Sequence, residues 1–256
     1  MMPSAAQAAP PRPGRILAVA SGKGGVGKTW FSITLAQALA RRGQRVLLVD
    51  ADLGLANVDV QLGFQPAQDL SAVIAGAMPP EAAAAHHAAA GIDILAGRSG
   101  SGALAALDGP ALAAVLAAVA RASTRWDRVV VDLGAGLEAP QRRLAAAADT
   151  LLVLATEEPT SLTDAYAVLK LHGQDRPGGD ARIVVNLATD AAAGQRTHRA
   201  LARAAATFLR REVPLAGIVR RDPKVRDAIR HQAPLLTRHP GSVAGQEVEA
   251  IARTLS

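Results

Sequence analysis

Short apolar runs alternate with longer stretches of helical periodicity along most of the chain. Seven runs of four to six residues carry mostly apolar side chains: RILAVA (15–20), RVLLVD (45–50), IDIL (92–95), RVVVDL (128–133), TLLVLA (150–155), RIVVNL (182–187) and LAGIV (215–219). Runs without polar alternation are typical of strands that are buried on both faces of a sheet. Between these strands we predict helices near residues 28–42, 69–76, 103–120, 139–148, 160–173, 195–211, 223–231 and 242–254.

This alternation predicts an α/β fold with a mostly parallel sheet of about seven strands and helices on both faces. Because no repeat or change of composition divides it, we expect residues 15–256 to form a single domain. Residues 1–14 are rich in Pro and Ala and are predicted to be a disordered arm. Ligands of such sheets bind outside the carboxyl ends of the strands, so the residues that follow each strand are the candidates for function.

The absence of cysteine and of long apolar segments argues against a disulfide-bonded, secreted or membrane-spanning protein. The 256 residues include no cysteine, which excludes disulfides and thiolate-ligated clusters and is compatible with a reducing compartment. The N-terminus lacks the apolar core of a signal peptide, and no stretch of about 18 residues is apolar throughout. We therefore expect a cytoplasmic protein.

A phosphate-binding motif follows the first predicted strand. Its sequence GKGGVGKT matches G-x-x-x-x-G-K-[ST] and comprises Gly22, Lys23, Gly24, Gly25, Val26, Gly27, Lys28 and Thr29. Glycines let the loop turn tightly so that backbone N–H groups converge on phosphate oxygens, and the N-terminus of the next helix adds positive potential. Lys28 is expected to reach the β- and γ-phosphates, and the Thr29 hydroxyl to bind Mg²⁺.

Three carboxylates follow two other predicted strands. Asp50 and Asp52 end the second strand and Asp132 ends the fourth, where Gly134 and Gly136 would let the backbone approach a γ-phosphate. A single aspartate after a strand is more often a helix cap or turn residue. Three of them beside one phosphate loop predict a site for magnesium and an attacking water.

Together these motifs resemble the MinD/ParA group of P-loop ATPases. The resemblance rests on KGGVGKT with its second lysine, on DADLGLANVD, and on D-x-x-x-G after a hydrophobic strand. It implies an Mg²⁺-dependent ATPase that forms a homodimer around ATP, with Lys23 reaching the nucleotide of the partner subunit. It also implies that Asp52 orients the hydrolytic water and that Asp50 and Asp132 hold the magnesium through water, so that Asp52, Lys23 and Lys28 are the catalytic residues.

Three longer segments are similar to the FlhG/FleN branch of that group: GLANVDVQLG, EEPTSLTDAYAVLK (157–170) and RDPKVRDAIRHQAPLLTRHPGS (221–242). This branch implies a regulatory switch for flagellar number and position, with the flagellar machinery or an SRP-type GTPase as partner. The resemblance places Glu158, Thr160 and Asp164 at the dimer interface, where Asp164 pairs with the signature lysine. An exposed helix aspartate is the alternative interpretation of Asp164.

The residues that would bind the nucleotide base match the family pattern least well. The family uses an asparagine at the position of Asn186 to bind adenine, and the N-K-x-D motif of GTPases is absent, so ATP is favoured. Asn186 could equally cap the following turn. Leu133 replaces the family's usual Ser or Thr, and Arg220-Arg221 stands where relatives often have a proline of the base pocket. The N-terminal arm lacks the Asp-Gln-Ala motif, so coupling to an SRP-type GTPase is doubtful.

The basic residues concentrate in one segment. The formal charge is +6, and residues 196–238 contain eleven Arg or Lys against three Asp or Glu. These side chains either cover solvated helix faces or form a patch for a polyanion, which keeps a ParA-type DNA-binding ATPase as an alternative function. A dethiobiotin-synthase-like ligase is a further alternative, but no second constellation of reactive residues supports it. His86-His87, within EAAAAHHAAA, is predicted to lie on a solvated helix face.

The C-terminal segment SVAGQEVEAIARTLS does not resemble a basic membrane helix. Its net charge is −1, and we expect its apolar residues to pack on the domain: Val243, Val248, Ile251 and Leu255. We therefore expect no membrane anchor here, so that recruitment to a membrane or a cell pole would depend on partners.

Overall fold

One mixed sheet organises the chain. The structure, a computed structural model, describes residues 15–52, 54, 56–97 and 109–255, so the predicted disordered arm at 1–14 lies outside the described residues. The strands are Arg15–Ala20 (β1), Val46–Ala51 (β2), Ala85–His87 (β3), Ile92–Leu95 (β4), Arg128–Leu133 (β5), Thr150–Ala155 (β6), Asp180–Ala188 (β7) and Leu215–Arg220 (β8). Their order is β3-β4-β2-β5-β1-β6-β7-β8, and every pair except the antiparallel β3–β4 is parallel.

Helices lie in the connections between the parallel strands. They are Lys28–Ala40 (α1), Val58–Leu62 (α2), Leu70–Ile74 (α3), Pro80–Ala83 (α4), Gly109–Ala122 (α5), Ala139–Ala147 (α6), Pro159–Asp175 (α7), Ala191–Ala204 (α8), Pro223–Arg230 (α9), Leu235–Arg238 (α10) and Val243–Leu255 (α11). A π-helical turn, Ala205–Leu209, continues α8. The predicted helix at 103–120 is described only from Gly109 onward.

Two apolar layers cover the two faces of the sheet. Successive strand residues alternate between the layers, since Leu47 and Val49 belong to one and Leu48 to the other. Helices α5, α6, α7 and α8 pack on the first face, and α1, α9, α10 and α11 on the second. The α/β architecture predicted from the buried strands is therefore confirmed, with eight strands in place of about seven.

The eighth strand, β3, corrects the prediction for His86-His87. These residues do not lie on a helix, because α4 ends at Ala83 and the chain then pairs with the edge of β4. His86 Nδ1 lies 2.8 Å from Asp93 Oδ1, and the His87 ring packs edge-to-face on Phe64 with centroids 5.3 Å apart. Edge pairing with a strand overrides the helical tendency of the surrounding alanines.

Further differences concern the C-terminal half. Helix α8 begins at Ala191, earlier than predicted, because the Asp190 side chain caps it by accepting a hydrogen bond from Ala193 N. In α11 the residues Val248, Ile251 and Leu255 are buried as predicted, whereas Val243 is 39% exposed, since it stands in the first turn and faces away from the sheet. Within the described ranges, no helix is long and apolar enough to cross a membrane.

Candidate nucleotide-binding site

The phosphate loop joins β1 to α1 at the carboxyl edge of the sheet. Gly27 directly precedes α1 and has φ of 85°, a left-handed conformation that glycine adopts without steric cost. A Cβ on Gly27 would also overlap the indole Nε1 of Trp30 and lie 2.7 Å from Asn186 Nδ2. A Cβ on Gly22 would lie 2.6 Å from the carbonyl oxygen of Asp164, so the loop packs directly on α7. Both glycines are therefore required by close contacts.

A cleft of about 890 Å³, including the solvent at its mouth, opens above this loop. Seven of the eight motif residues line it, from Lys23 to Thr29. Lys28 is only 8% exposed, and the N-terminus of the 13-residue helix α1 points its free N–H groups into the same space. The geometry is that of an anion site built for phosphate groups.

Two buried carboxylates lie beside the loop. Asp50 and Asp132 are register partners on the adjacent strands β2 and β5, and neither is exposed. Asp50 accepts three backbone hydrogen bonds, from Asp52 N (3.1 Å), Asn57 N (3.0 Å) and Val58 N (3.0 Å). Burial, followed by repulsion from Asp132, raises the pKa of Asp50 to about 7. Asp50 therefore holds the segment after β2 in place, and its water-mediated contact with magnesium stays a prediction.

Asp132 is better placed for a metal. Its Oδ1 accepts a hydrogen bond from Ser32 Oγ at 2.8 Å, while its buried Oδ2 has no partner among the described residues. Burial raises the pKa of Asp132, and the nearby Lys28 ammonium together with the hydroxyls of Ser32 and Thr29 opposes this shift. An unsatisfied buried carboxylate oxygen next to a phosphate loop fits Mg²⁺, directly or through water.

The metal site would be completed by the nucleotide. Throughout the described ranges, no three His, Asp or Glu side chains converge closely enough to hold a metal ion by themselves. Mg²⁺ commonly binds through one or two carboxylates, waters and substrate phosphates, so Thr29 and Asp132 fit such a site together with bound phosphates. Asp52 lines the cleft, with Oδ1 3.3 Å from the position that a Cβ on Gly134 would occupy. The segments after β2 and β5 thus meet at the cleft.

Lys23 lies at the exposed rim of the cleft. Its Nζ donates a short hydrogen bond to Glu158 and another to Thr160 Oγ1 at 3.0 Å. The Glu158 side chain is 67% exposed. Lys23 forms no hydrogen bond with Asp164 within the described chain, where Asp164 instead packs its backbone on Gly22. The predicted pairing of Lys23 with Asp164 stays a prediction.

Asn186 lies beneath the loop. It is fully buried, and its Nδ2 donates a hydrogen bond to the Val26 carbonyl at 2.8 Å. This contact supports the loop from the side of β7, a role that the sequence alone did not indicate. Asn186 Oδ1 is buried without a partner among the described residues, and the predicted contact with adenine stays a prediction. The following residue, Leu187, has φ of 57° and lines a second cleft together with Lys23 and Arg221.

Comparisons with known proteins agree with this geometry. Residues 17–235 match the CobQ/CobB/MinD/ParA nucleotide binding domain. The chain belongs to this family. It is 36% identical over 241 residues to the antiactivator FleN of Pseudomonas aeruginosa, a match that covers 94% of this chain and 86% of FleN. It is 26% identical over 242 residues to the flagellum site-determining protein YlxH of Helicobacter pylori, covering 94% and 81%.

Solved structures of MinD proteins share the fold. The cell division ATPase MinD of Pyrococcus furiosus superposes with a TM-score of 0.79 at 24% identity, over 94% of this chain and 98% of that one. The MinC:MinD complex of Aquifex aeolicus gives a TM-score of 0.75 at 26% identity, over 94% and 95%. The chain is therefore a P-loop ATPase of the MinD/ParA type, as its motifs predicted.

In this MinD/ParA chain, six cleft residues escaped the sequence-based prediction: Ser21, Trp30, Asn57, Gln61, Ala135 and Ile229. Asn57 and Gln61 come from the short helix α2 and its cap, and Ile229 comes from α9. The backbone N–H of Asn57 donates a hydrogen bond to Asp50, so the segment after β2 folds back onto the first of the two aspartates. Trp30 could have been noticed, since it directly follows Thr29.

The basic segment of this MinD/ParA chain does not form one surface. Arg196, Arg199 and Arg203 lie on α8, which packs on the first face of the sheet, whereas Arg226 and Arg230 lie on α9, which packs on the second. Other members pair with acidic side chains, as Arg220 does with Glu247 and Arg238 with Asp227. The high charge of residues 196–238 is thus divided between opposite sides of the molecule.

Proposed function

We propose that this ATPase is a dimerising switch that regulates the number or position of flagella. The observation that carries the proposal is the complete phosphate loop with Lys23 at its exposed rim, in a chain that resembles FleN over 94% of its length. Lys28 already serves the phosphates within its own chain, so Lys23 is available to a second subunit. The flagellum site-determining YlxH supports the same cellular role.

The site residues divide the work of phosphoryl transfer. Backbone N–H groups of the loop, Lys28 and the N-terminus of α1 bind and orient the phosphates. Thr29 and Asp132 would hold Mg²⁺, which when bound neutralises phosphate charge. Asp52 lines the cleft where it can orient the attacking water, and Lys23 of the partner subunit stabilises the charge that develops in the transition state.

The dimer gives this chemistry a regulatory output. ATP supplies a γ-phosphate that Lys23 can reach across the interface, and hydrolysis removes this contact and favours separation. A ligand shifts such an equilibrium only by its differential affinity for the two states, and the γ-phosphate provides that difference. MinD of Aquifex aeolicus is known in complex with MinC, which supports a protein partner here as well. We propose that the partner belongs to the flagellar machinery, and that it recruits a cytoplasmic ATPase to its site.

The alternative functions have less support. DNA binding of the ParA type requires a continuous basic surface, whereas the arginines of α8 and α9 lie on opposite sides of the sheet. A metabolic ligase requires a substrate site beyond the phosphate loop. The likeness to a cobyrinic acid a,c-diamide synthase, at 21% identity and a TM-score of 0.68, reflects the common fold alone.

Replacing Asp52 by alanine tests the switch. We expect Asp52→Ala to bind ATP without hydrolysing it and therefore to accumulate as a dimer, which light scattering during gel filtration would detect with Mg²⁺ and ATP. ADP should leave the same variant monomeric. The matched control is the double variant Lys23→Ala, Asp52→Ala, which should bind ATP and remain a monomer. An Asp52→Ala protein that stays monomeric in ATP with unchanged turnover would contradict the proposal.

A further inference from the structure

The first turn of α1 places an indole at the wall of the nucleotide cleft. Trp30 directly follows Lys28 and Thr29, and it lines the cleft together with Asn57 and Gln61. Its side chain is held firmly, because Trp30 is 7% exposed and packs edge-to-face on Phe31 with ring centroids 6.3 Å apart. The Nε1 edge of the ring lies against the Cα of Gly27. The indole N–H is therefore fixed beside the phosphate loop.

The two tryptophans of the chain differ in how their N–H groups are satisfied. Trp126 is 8% exposed, and its Nε1 donates to Asp93 Oδ2 at 2.7 Å. Trp30 is equally buried, yet its Nε1 forms no hydrogen bond with any residue that the structure describes. Trp30 Nε1 is not among the fully buried polar atoms that lack a partner, so this edge of the ring is accessible from the cleft that Trp30 lines. Indole N–H groups in largely buried rings usually find an acceptor. The acceptor for Trp30 should therefore be a ligand in this cleft.

The glycine before Lys28 shows which part of the loop the indole reaches. A Cβ on Gly27 would overlap Trp30 Nε1 and lie 2.7 Å from Asn186 Nδ2, so both nitrogens border this residue. Trp30 also lines the cleft together with Asn57 and Gln61, which follow β2. The indole N–H therefore lies at the Gly27 turn of the phosphate loop.

From this placement we infer that the indole N–H of Trp30 donates a hydrogen bond to an oxygen of the bound nucleotide. Trp30 is then a nucleotide-binding residue, which holds the nucleotide while Lys28, Thr29 and Asp132 hold the γ-phosphate and metal end. The inference rests on the proposed nucleotide site and adds a contact to it that the phosphate-loop motif does not contain.

The two indole N–H groups can be observed separately by NMR in the full chain. Trp30→Phe and Trp126→Phe each remove one indole signal and so assign the other, while both keep an aromatic ring. On addition of ADP and Mg²⁺ we expect a downfield change in the chemical shift of the Trp30 indole proton, observed in Trp126→Phe. The chemical shift of the Trp126 indole proton, observed in Trp30→Phe, should not change. Calorimetry should show that Trp30→Phe binds ADP about threefold to tenfold more weakly than wild type, as the loss of one hydrogen bond predicts. Trp126→Phe should bind ADP like the wild type.

The remaining outcomes separate this inference from the proposed function. A stationary Trp30 signal in ADP-saturated protein overturns the hydrogen bond, even if Trp30→Phe binds ADP weakly, because the weak binding would then come from packing. Equal ADP affinities of Trp30→Phe and wild type also overturn it. Should Trp30→Phe fail to fold, the Trp30 signal of Trp126→Phe decides alone. A wild-type chain that binds neither ADP nor ATP in calorimetry contradicts the proposed function itself.

Discussion

The two lysines of the phosphate loop lie in opposite surroundings. Lys28 is 8% exposed and lies next to the buried carboxylate of Asp132. Lys23 stands at the rim, where it pairs with Glu158, whose side chain is 67% exposed. An ion pair in solvent contributes little and rearranges easily, whereas removing one member of a buried charge cluster leaves the others uncompensated. The buried side is thus suited to holding phosphate and the rim to changing partners, as a switch requires.

Removal of the buried lysine should have the largest effect. In Lys28→Ala the β- and γ-phosphates lose their charged ligand in a site of low dielectric constant, so we expect ATP turnover to fall by about 10²- to 10³-fold. ADP binding in calorimetry should weaken in parallel. The control is Lys224→Ala, which removes an exposed lysine of α9 and should leave both quantities unchanged. Wild-type ADP affinity in Lys28→Ala would contradict the assignment of the buried side.

The buried carboxylates should make the metal-free protein less stable above about pH 7 than near pH 4. The pKa of Asp50 is raised from 3.8 to about 7, so in this interval the folded protein holds a proton that the unfolded chain has released. The contribution of Asp50 to the free energy of unfolding therefore falls as the pH rises through the interval. Repulsion by Asp132 is one cause of the shift, and Asp132→Asn removes it while an amide oxygen can still accept the Ser32 hydrogen bond.

We expect Asp132→Asn to exceed the wild type by about 2 kcal/mol in free energy of unfolding at pH 8 in EDTA. The difference should shrink toward pH 4, where Asp50 is protonated in the folded protein and no longer repels Asp132. Urea unfolding at several pH values measures it, with Glu138→Gln as an exposed control beside the same loop. With Mg²⁺ and ADP present, the wild type should gain stability and the variant should gain less. A wild type that is the more stable of the two at pH 8 in EDTA would contradict the prediction.

More of the site around the buried Lys28 than of the rim around Lys23 could be predicted from the sequence. Parallel strands bring their carboxyl ends to one edge, so Lys28, Asp50 and Asp132 were expected to converge, and they do. The structure of the rim depends on contacts between segments that are distant in sequence, such as that of Gly22 with Asp164. No local sequence pattern predicts these contacts. The supporting role of Asn186 likewise becomes visible only once β7 lies under the loop.

The strands of the sheet also differ in how well the sequence predicted them. The seven strands that the apolar runs predicted were all found. The strand β3 was not predicted, because a three-residue edge strand is stabilised by pairing with β4 and by the His86–Asp93 contact, and its own alanine-rich sequence favours a helix. Tertiary pairing decides such an element, so sequence periodicity could not reveal it.

The smallest predicted effect concerns the rim. If Lys23 must leave Glu158 before it can reach a partner's nucleotide, Glu158→Gln should favour the ATP-bound dimer, lowering its dissociation constant about two- to fivefold, the range expected for one exposed ion pair. Analytical ultracentrifugation in the Asp52→Ala background, where hydrolysis does not interfere, measures this constant. Glu157→Gln is the matched control, because Glu157 is the adjacent carboxylate and binds Thr189 instead. A weaker dimer in Glu158→Gln, with no change in Glu157→Gln, would show instead that Glu158 contacts the partner subunit. Lys23 would then not be restrained by Glu158 within its own chain, and its proposed difference from the buried Lys28 would be wrong.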